Sequence, residues 1–466
     1  MLSQSISSSR KTDSHGPVGF WFFNDGLNLA EIDYQLDQFV KQKFSGVVVH
    51  PRDGLSIPWQ SETWFEVLEY IIGACSHRNL KVWYYDDAPY PSGSAGGRLI
   101  QQSPELAGKS LLFVDKVAMP VQGVIRIPFS VTGCLLKVYA AAINSDNDLT
   151  DVFKDITHYA GLVGDRWFVQ GERTVGYGPM FINDNNHPHW RAFIEHENWV
   201  LHWPVNNDQQ YRILAVFKTE AGDTRHGKYV DLLNPETTER FIELSYNTTL
   251  KRLGASRFKN FAAAFTDEPR LCSPYPWTDT LPDDYYRAYN EDIFQILPHL
   301  AIQISDYSYE ARYRYRRLLG QLWEERFMKP LAQWCQQNGL PLTGHISPEE
   351  DPILQTLGSP GLTRLITHMQ WLGYDLVLKP FGSSEQAKLV GPKLISSIAH
   401  QKAKPHLVTE TMGCCGENLT INEMFKLINW LAVCSYDTFI LHGQYMSLDG
   451  HRKREAPPSI FFQSPY

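Results

Sequence analysis

The sequence predicts an α/β fold, a (β/α)8 barrel of TIM type with an inserted β-rich domain after the third strand. Three observations carry that expectation. Short apolar runs alternate with amphipathic helical patterns, the alternation stops for a long β-patterned stretch after the third repeat, and it then resumes for five more. Parallel strands joined by right-handed helical crossovers close into a barrel when there are eight of them.

The first apolar run is Val18–Phe23 (VGFWFF), and in Asn28–Lys43 the residues Ile32, Leu36, Phe39 and Val40 recur at helical spacing. Gly46–His50 (GVVVH) is the second, followed by Glu62–Arg78 with Trp64, Phe65, Leu68, Ile71 and Ile72 on one face. Leu80–Tyr85 (LKVWYY) is the third and ends in Asp86 and Asp87. Residues 1–110 therefore read as the first part of the barrel. Over residues 111–235 the chain changes character: stretches such as KSLLFVDKVAMP, CLLKVYAAAI, RWFVQ and YRILAVFK alternate with turns and show no strong amphipathic helix, as in an inserted β-domain.

Residues 236–466 complete the barrel. A helix is expected at Glu236–Leu253, strands near Phe261–Thr266, Leu340–His345, Gly373–Leu378, His406–Thr409 and Thr438–His442, and intervening helices at Tyr309–Asn338, Gly391–Gln401 and Ile421–Val433. After the last strand, GQYMSLDGHRKREAPPSIFFQSPY contains Pro457, Pro458 and Pro465 and no convincing amphipathic pattern, so the eighth helix is expected to be missing. A barrel without that helix exposes apolar surface on its neighbours, which makes a homo-oligomer an expectation.

Bulk properties narrow the function. With 43 Lys and Arg against 51 Asp and Glu, the chain of 466 residues has a formal net charge of −8 and no basic block that could track a phosphate backbone, which argues against nucleic acid as a partner. The start, MLSQSISSSRKTDSHGP, is polar, and no run reaches the ~18 apolar residues of a membrane span. A soluble, cytoplasmic protein without a membrane partner is expected. Seven cysteines with no CxxC pair suit reduced thiols better than disulfides or structural zinc. The aromatic share of 13% includes 13 Trp and 23 Tyr, side chains whose rings stack on the C–H faces of sugars.

Two apolar runs end in a glutamate: Phe261–Arg270 (FAAAFTDEPR) and Pro405–Gly413 (PHLVTETMG). Barrel enzymes place acid–base groups at the C-terminal tips of strands, so Glu268 after strand four and Glu410 after strand seven form the candidate catalytic pair. Hydrolysis of a glycosidic bond needs this equipment, one carboxylic acid to protonate the leaving oxygen and a second carboxylate to attack or to activate water. Asp267 precedes Glu268 and can raise its pKa. The other tips are also polar: Asn24, Asp25, His50, Arg52, Asp86, Asp87, His345, Lys379 and His442.

The segments FWFFND, VVVHPRDGL, VWYYDDAPYPSGSAGGR, FTDEPR, LTGH followed by Glu349-Glu350, LVTETMG and LHGQYMSLDGHRKREAPPS together resemble a bacterial group of barrel glycoside hydrolases related to the α-L-rhamnosidases. The blocks HPR-x-GL and PSGSAGG carry most of the specificity. The resemblance implies an exo-acting enzyme with Glu268 as general acid and Glu410 as base or nucleophile. It implies that His50, Arg52, Asp86, His345 and His442 bind sugar hydroxyls, and Asp87, Asp267, Glu350 and Tyr445 complete the candidate substrate-binding set. The chain departs from the group's pattern at GCCGENLT after Glu410 and at Gly373-Tyr374-Asp375, where relatives tend to have Pro-Gly-x-Asp.

No cofactor is required by this chemistry, although calcium held by Asp and Glu oxygens is compatible with it, as in some related rhamnosidases. Two other readings stand beside it. A metal-dependent hydrolase is one, against which the sole His-x-His, His187-Pro188-His189, lies in the insertion. A non-catalytic or degenerate carbohydrate-binding barrel is the other. The sugar and the stereochemical outcome stay open, because the outcome depends on the separation of the two carboxyl groups; the resemblance leans toward inversion.

Overall fold

The computed structural model describes residues 16–166, 195–224, 227–271, 273–377, 390–449 and 456–459. Lys379, His187 and His189 lie outside them, as does the end of the expected sixth strand at Leu378. The chain divides into two compact units, one of Met1–Gly108, Ala221–Thr278 and Arg316–Tyr466, the other of Lys109–Glu220 and Asp279–Tyr315.

The first unit holds a nearly closed parallel barrel of eight strands. They are β1 (Val18–Phe23), β2 (Gly46–Pro51), β3 (Lys81–Tyr85), β4 (Phe261–Thr266), β5 (Leu342–Gly344), β6 (Leu372–Leu376), β7 (Leu407–Thr411) and β8 (Thr438–Tyr445). Going round the sheet, β5 pairs with β4, then β3, β2, β1, β8, β7 and β6 follow in turn. Covered on both faces, these strands read as continuous apolar runs in the sequence.

Alternate residues point into the barrel. Phe20 and Phe22, Val48, Trp83 and Tyr85, Ala263 and Phe265, Val408 and Ile440 make one buried interior cluster. The next inward positions toward the C-terminal ends carry polar groups, and this change from apolar to polar along the same strand face sets the floor and the mouth of the site.

Among the described residues the seam between β5 and β6 has no strand ladder, and a backbone bond from Trp371 N to Leu342 O, 3.2 Å, crosses it. Glycine permits this approach. A Cβ on Gly344, whose φ is +119°, would sit 1.8 Å from Thr266 O, and one on Gly373 would sit 1.9 Å from Gly344 O. Strands four, five and six are thus drawn together by positions where no side chain fits.

The helices fall close to their sequence expectations. Leu29–Lys41 is capped by Asn28, Glu62–His77 by Ser61, and Ile421–Val433 by a capping box of Thr420 and Glu423. The two longest expected helices are each interrupted by a π-helical turn, at Ile242–Asn247 and Glu324–Met328. Among the described residues no helix follows β8, and none is long and apolar enough to cross a membrane.

The second unit is antiparallel. Gln210–Glu220 pairs with both Lys109–Ala118 and Cys134–Ile143, while Glu195–Pro204 pairs with Val124–Phe129 and Ala160–Arg166. Ile125, Ile127 and Phe129 share a core with Val138, Ala140, Ile213, Ala215 and Phe217, so the two sheets pack face to face. The helix Ile293–Ala301 belongs to this unit, and its Phe294 carbonyl accepts a 2.5 Å hydrogen bond from the Tyr139 hydroxyl. Residues 221–235, expected in the insertion, cluster with the barrel instead: Gly108 N donates to Tyr229 O and Asp231 N to Leu106 O.

Candidate active site

The mouth is built from residues that follow or end the strands. Its centre is His345, just after β5, with a side chain only 3% exposed. Nε2 of His345 lies 3.0 Å from Asp267 Oδ1 and 4.0 Å from Asp375 Oδ2, and Nδ1 lies 3.8 Å from Glu410 Oε2. Glu268 also converges there, with one carboxylate oxygen within 4.8 Å of His345 and Asp375 ligand atoms. Four acids from three strands therefore meet one histidine.

Each acid arrives by a definite route. Glu410 lies inside β7 and not at its tip as the sequence suggested, because pairing with β6 and β8 continues through Thr411. Two residues beyond Val408, it points the same way into the barrel. Asp375 is its direct cross-strand partner on β6, so the two carboxylates share a layer. Asp267 and Glu268 follow the end of β4. Glu268 adopts φ +49°, a left-handed backbone that non-glycine residues rarely take and that is held only where surroundings demand it. Its side chain is 22% exposed, against 6% for Glu410, and Arg270 Nη1 donates to its Oε2 at 3.2 Å.

The electrostatics follow from this crowding. Burial raises Glu410 well above the usual carboxylate range, and Asp375 and Asp267 beside it add to the rise. Burial likewise raises Asp375, with Glu268 contributing. Glu268 is raised by burial and then by Asp267, with His345 and Arg270 opposing. Asp267 alone is lowered: burial would raise it, but His345, the Tyr85 hydroxyl (2.6 Å to Oδ2) and Arg52 together outweigh that. Burial would lower His345, yet the surrounding carboxylates push it well up. The site thus favours the protonated form of His345 and the ionised form of Asp267, and it raises the proton affinity of Glu268, Asp375 and Glu410 together.

The opposite wall is cationic and aromatic. The His50 ring stacks on Tyr85 at 3.8 Å between centroids, and its Nε2 is 2.9 Å from Arg52 Nη1. A guanidinium can only donate, so His50 Nε2 accepts and the ring is neutral, with its proton on Nδ1. Arg52 lies over the rings of Phe22 and Tyr90, at 4.5 and 4.9 Å. His442 packs edge-on to Phe22, and burial with Arg52 nearby pushes it down to about 3, so it too is neutral. The loop after β7 lies over both, since a Cβ on Gly413 would be 3.6 Å from the His442 ring and 3.9 Å from Glu410 Oε1.

Of the expected binding residues, His50, Arg52, Asp267, His345 and His442 thus gather around Glu268 and Glu410. Asp86, Asp87 and Tyr445 face elsewhere, whereas Glu350 lies near enough to the cluster to raise the proton affinity of Glu268 and Asp375. Asp87 accepts hydrogen bonds from the backbone N–H of Ala88, Gly93, Ser94, Ala95 and Gly96 and so folds its own glycine-rich loop, with no oxygen left for a sugar. Asp86 bonds Ser92 Oγ at 2.5 Å and the Tyr246 hydroxyl at 2.7 Å, away from the mouth, and burial pushes it up to about 8. Tyr445 belongs to the interior cluster and donates to Ala456 O at 3.2 Å. Glu350 is half-buried, its Oε2 receiving Glu349 N at 3.2 Å. Glu349 is the more deeply placed of the pair, and its Oε1 accepts Asp375 N at 2.6 Å.

Sequence reasoning missed Asp375, Glu349 and Tyr85. For Asp375 the signal was an acid within an apolar strand at the same alternation as Gly373. For Tyr85 there was none, because a tyrosine in VWYY reads as core and its hydroxyl gains meaning only when Asp267 arrives from β4.

Two sets of side chains could hold a cation, Asp267–His345–Glu410 and Glu268–His345–Asp375, each with ligand atoms within 4.8 Å of one another. Neither set suits calcium, which takes six or more oxygens, because each offers two carboxylates and an imidazole.

The fold has known counterparts. A solved rhamnosidase from Novosphingobium sp. PP1Y superposes with a TM-score of 0.60 at 11% identity, covering 96% of this chain and 56% of that one. A β-galactosidase from the psychrophilic Marinomonas ef1 gives 0.49 at 8% identity, covering 94% and 56%. The likeness is one of fold. This chain spans little more than half the length of either structure, at 56% of each. No protein-family profile and no curated protein sequence matches it.

Proposed function

We propose that the chain is a glycoside hydrolase that removes a terminal sugar by a two-carboxylate mechanism. One observation carries this reading: glutamates from β4 and β7, far apart in sequence, converge on His345 in a barrel mouth, one of them partly exposed and both with raised proton affinity. The fold shared with a rhamnosidase and the segment resemblance support a sugar as substrate and an exo mode of attack.

Glu268 is the acid. Raised by burial and by Asp267, it holds a proton to donate to the leaving oxygen, and Arg270 can stabilise the carboxylate that results. Glu410 is the second carboxylate, attacking the anomeric carbon or drawing a proton from water. Asp375 takes up the proton that Glu410 must lose to act, as two adjacent buried acids do not both ionise. The oxocarbenium-like transition state carries positive charge, which the acid cluster favours. On the other wall, His50, Arg52 and His442 supply fixed donors and acceptors for hydroxyls.

A panel of aryl glycosides tests the reading, with proton NMR of the first-formed anomer to give the stereochemistry. Turnover of one member that falls by about a hundredfold or more in both E268Q and E410Q supports it. Undiminished turnover in both variants would sink it, and activity that chelation abolishes and zinc or manganese restores would replace it with a metal-dependent hydrolase.

A further inference from the structure

Asp86 and Ser92 are buried, lie outside the mouth, and are not used by the chemistry above. Their contacts nonetheless end at its acid. Ser92 grips Asp267 through two hydrogen bonds: Ser92 N donates to Asp267 O at 2.7 Å, and Asp267 N donates to Ser92 Oγ at 2.7 Å. Because that hydroxyl oxygen already accepts from Asp267, its own proton is directed to Asp86 Oδ1, 2.5 Å away. The other oxygen of Asp86 receives the Tyr246 hydroxyl, its carbonyl receives Ser245 Oγ at 2.5 Å, and the carbonyl of Ser92 accepts from the Tyr229 hydroxyl at 2.5 Å.

The next residue after this clamp is Glu268 in its left-handed conformation. A backbone state of that kind persists only where neighbouring bonds determine it, and within the described contacts both backbone polar groups of Asp267 are held by Ser92.

We propose that the Tyr246–Asp86–Ser92 chain is a positioning relay for the acid: it fixes the Asp267–Glu268 turn so that the Glu268 carboxyl stands at the height of the leaving oxygen. Asp86 is thereby a positioning residue and not a sugar ligand. The Pro-Ser-Gly block of the third loop acts through its serine, while its glycines serve the separate nest around Asp87.

This inference rests on Glu268 being the acid, and its test has two readouts. The first is leaving-group dependence. A misplaced acid slows substrates whose leaving group needs a proton and spares those that depart unaided, whereas a generally loosened fold slows both alike. S92A is expected to lower kcat about 100-fold on an alkyl or simple phenyl glycoside, with KM within about threefold, yet to lose under about threefold on a glycosyl fluoride. D86A should behave likewise, and D86N, which preserves an acceptor for Ser92 and a partner for Tyr246, should recover most of what D86A loses. Equal losses on both classes of leaving group, or no loss on either, would overturn the relay.

The second readout needs no activity. Amide hydrogen exchange of S92A should lose protection at Asp267, whose N–H bonds Ser92 Oγ, while the β7 amides of Val408–Thr411 keep theirs. Protection lost evenly across the barrel would also overturn the proposal. If wild-type protein cleaves no glycoside, the glycosidase reading fails while this exchange pattern still judges the relay.

Discussion

The two sides of the mouth present a carboxylate in opposite ways. On the β4 side Glu268 stands past the strand end, partly exposed, on a left-handed backbone held by a serine from the neighbouring loop. On the β7 side Glu410 is an ordinary strand residue, buried, with Asp375 across the ladder and the His345 ring 3.8 Å away. The difference teaches how a barrel makes unlike groups from like residues. The carboxyl proposed as the acid is set on a turn where it can be reached, and the one proposed as its partner is built into the sheet, where ladder bonds fix its height.

The barrel is most sensitive at the seam between the two sides. In G373A a methyl would be forced toward Gly344 O, and the expected result is a loss of about 3 kcal/mol or more, read as failure to purify folded protein or as a large fall in denaturation midpoint. A stable G373A would show that β5 and β6 are not drawn together as described.

Next in size is the pH dependence of stability. His345, Asp375 and Glu410 hold protons in the folded state to higher pH than in the unfolded chain. The folded state therefore binds more protons, and stability falls with rising pH. The stabilising share of His345 is complete below its unfolded value near 6.5 and is lost as pH climbs through its folded value. The penalty from the two acids begins above their ordinary range and grows until each has ionised. Melting temperature should drop by ~5 °C between pH 5 and pH 8, and the double variant D375N/E410Q should flatten that slope. Asp267 gives the opposite sign at the acid end, since its lowered pKa contributes stability that is lost as pH falls through the folded value. A slope unchanged in the double variant would remove the crowding argument from the β7 side.

The smallest expected effect concerns Arg270. Its bond to Glu268 is half exposed, so R270A should cost about threefold to tenfold in kcat/KM and raise the pKa of the Glu268 acid slightly, seen as an upward shift of the alkaline limb of the pH profile. A loss as large as that of E268Q would make Arg270 a substrate ligand.

How far the sequence discloses the site differs between the two sides as well. Apolar runs and helical periodicity reveal the barrel strands because both faces of each strand are buried, and FTDEPR places an acid beyond one of them. Glu410 was legible as a residue but not as a depth, since only ladder pairing shows that β7 runs on through Thr411. The Asp86-Asp87 pair misled for a related reason. Polar strand ends look alike in sequence whether they face a ligand or fold the next loop, and only the five backbone donors around Asp87 tell the two apart. Asp375 stayed hidden because its value lies in a neighbour supplied by another strand.

The contrast between a reachable acid and a buried partner is tested most directly by leaving-group series for E268Q and E410Q measured side by side. E268Q is expected to lose about 10³-fold on poor leaving groups but little on a glycosyl fluoride, while E410Q loses about 10³-fold or more on both. Two variants with the same profile, or the reverse assignment, would contradict it.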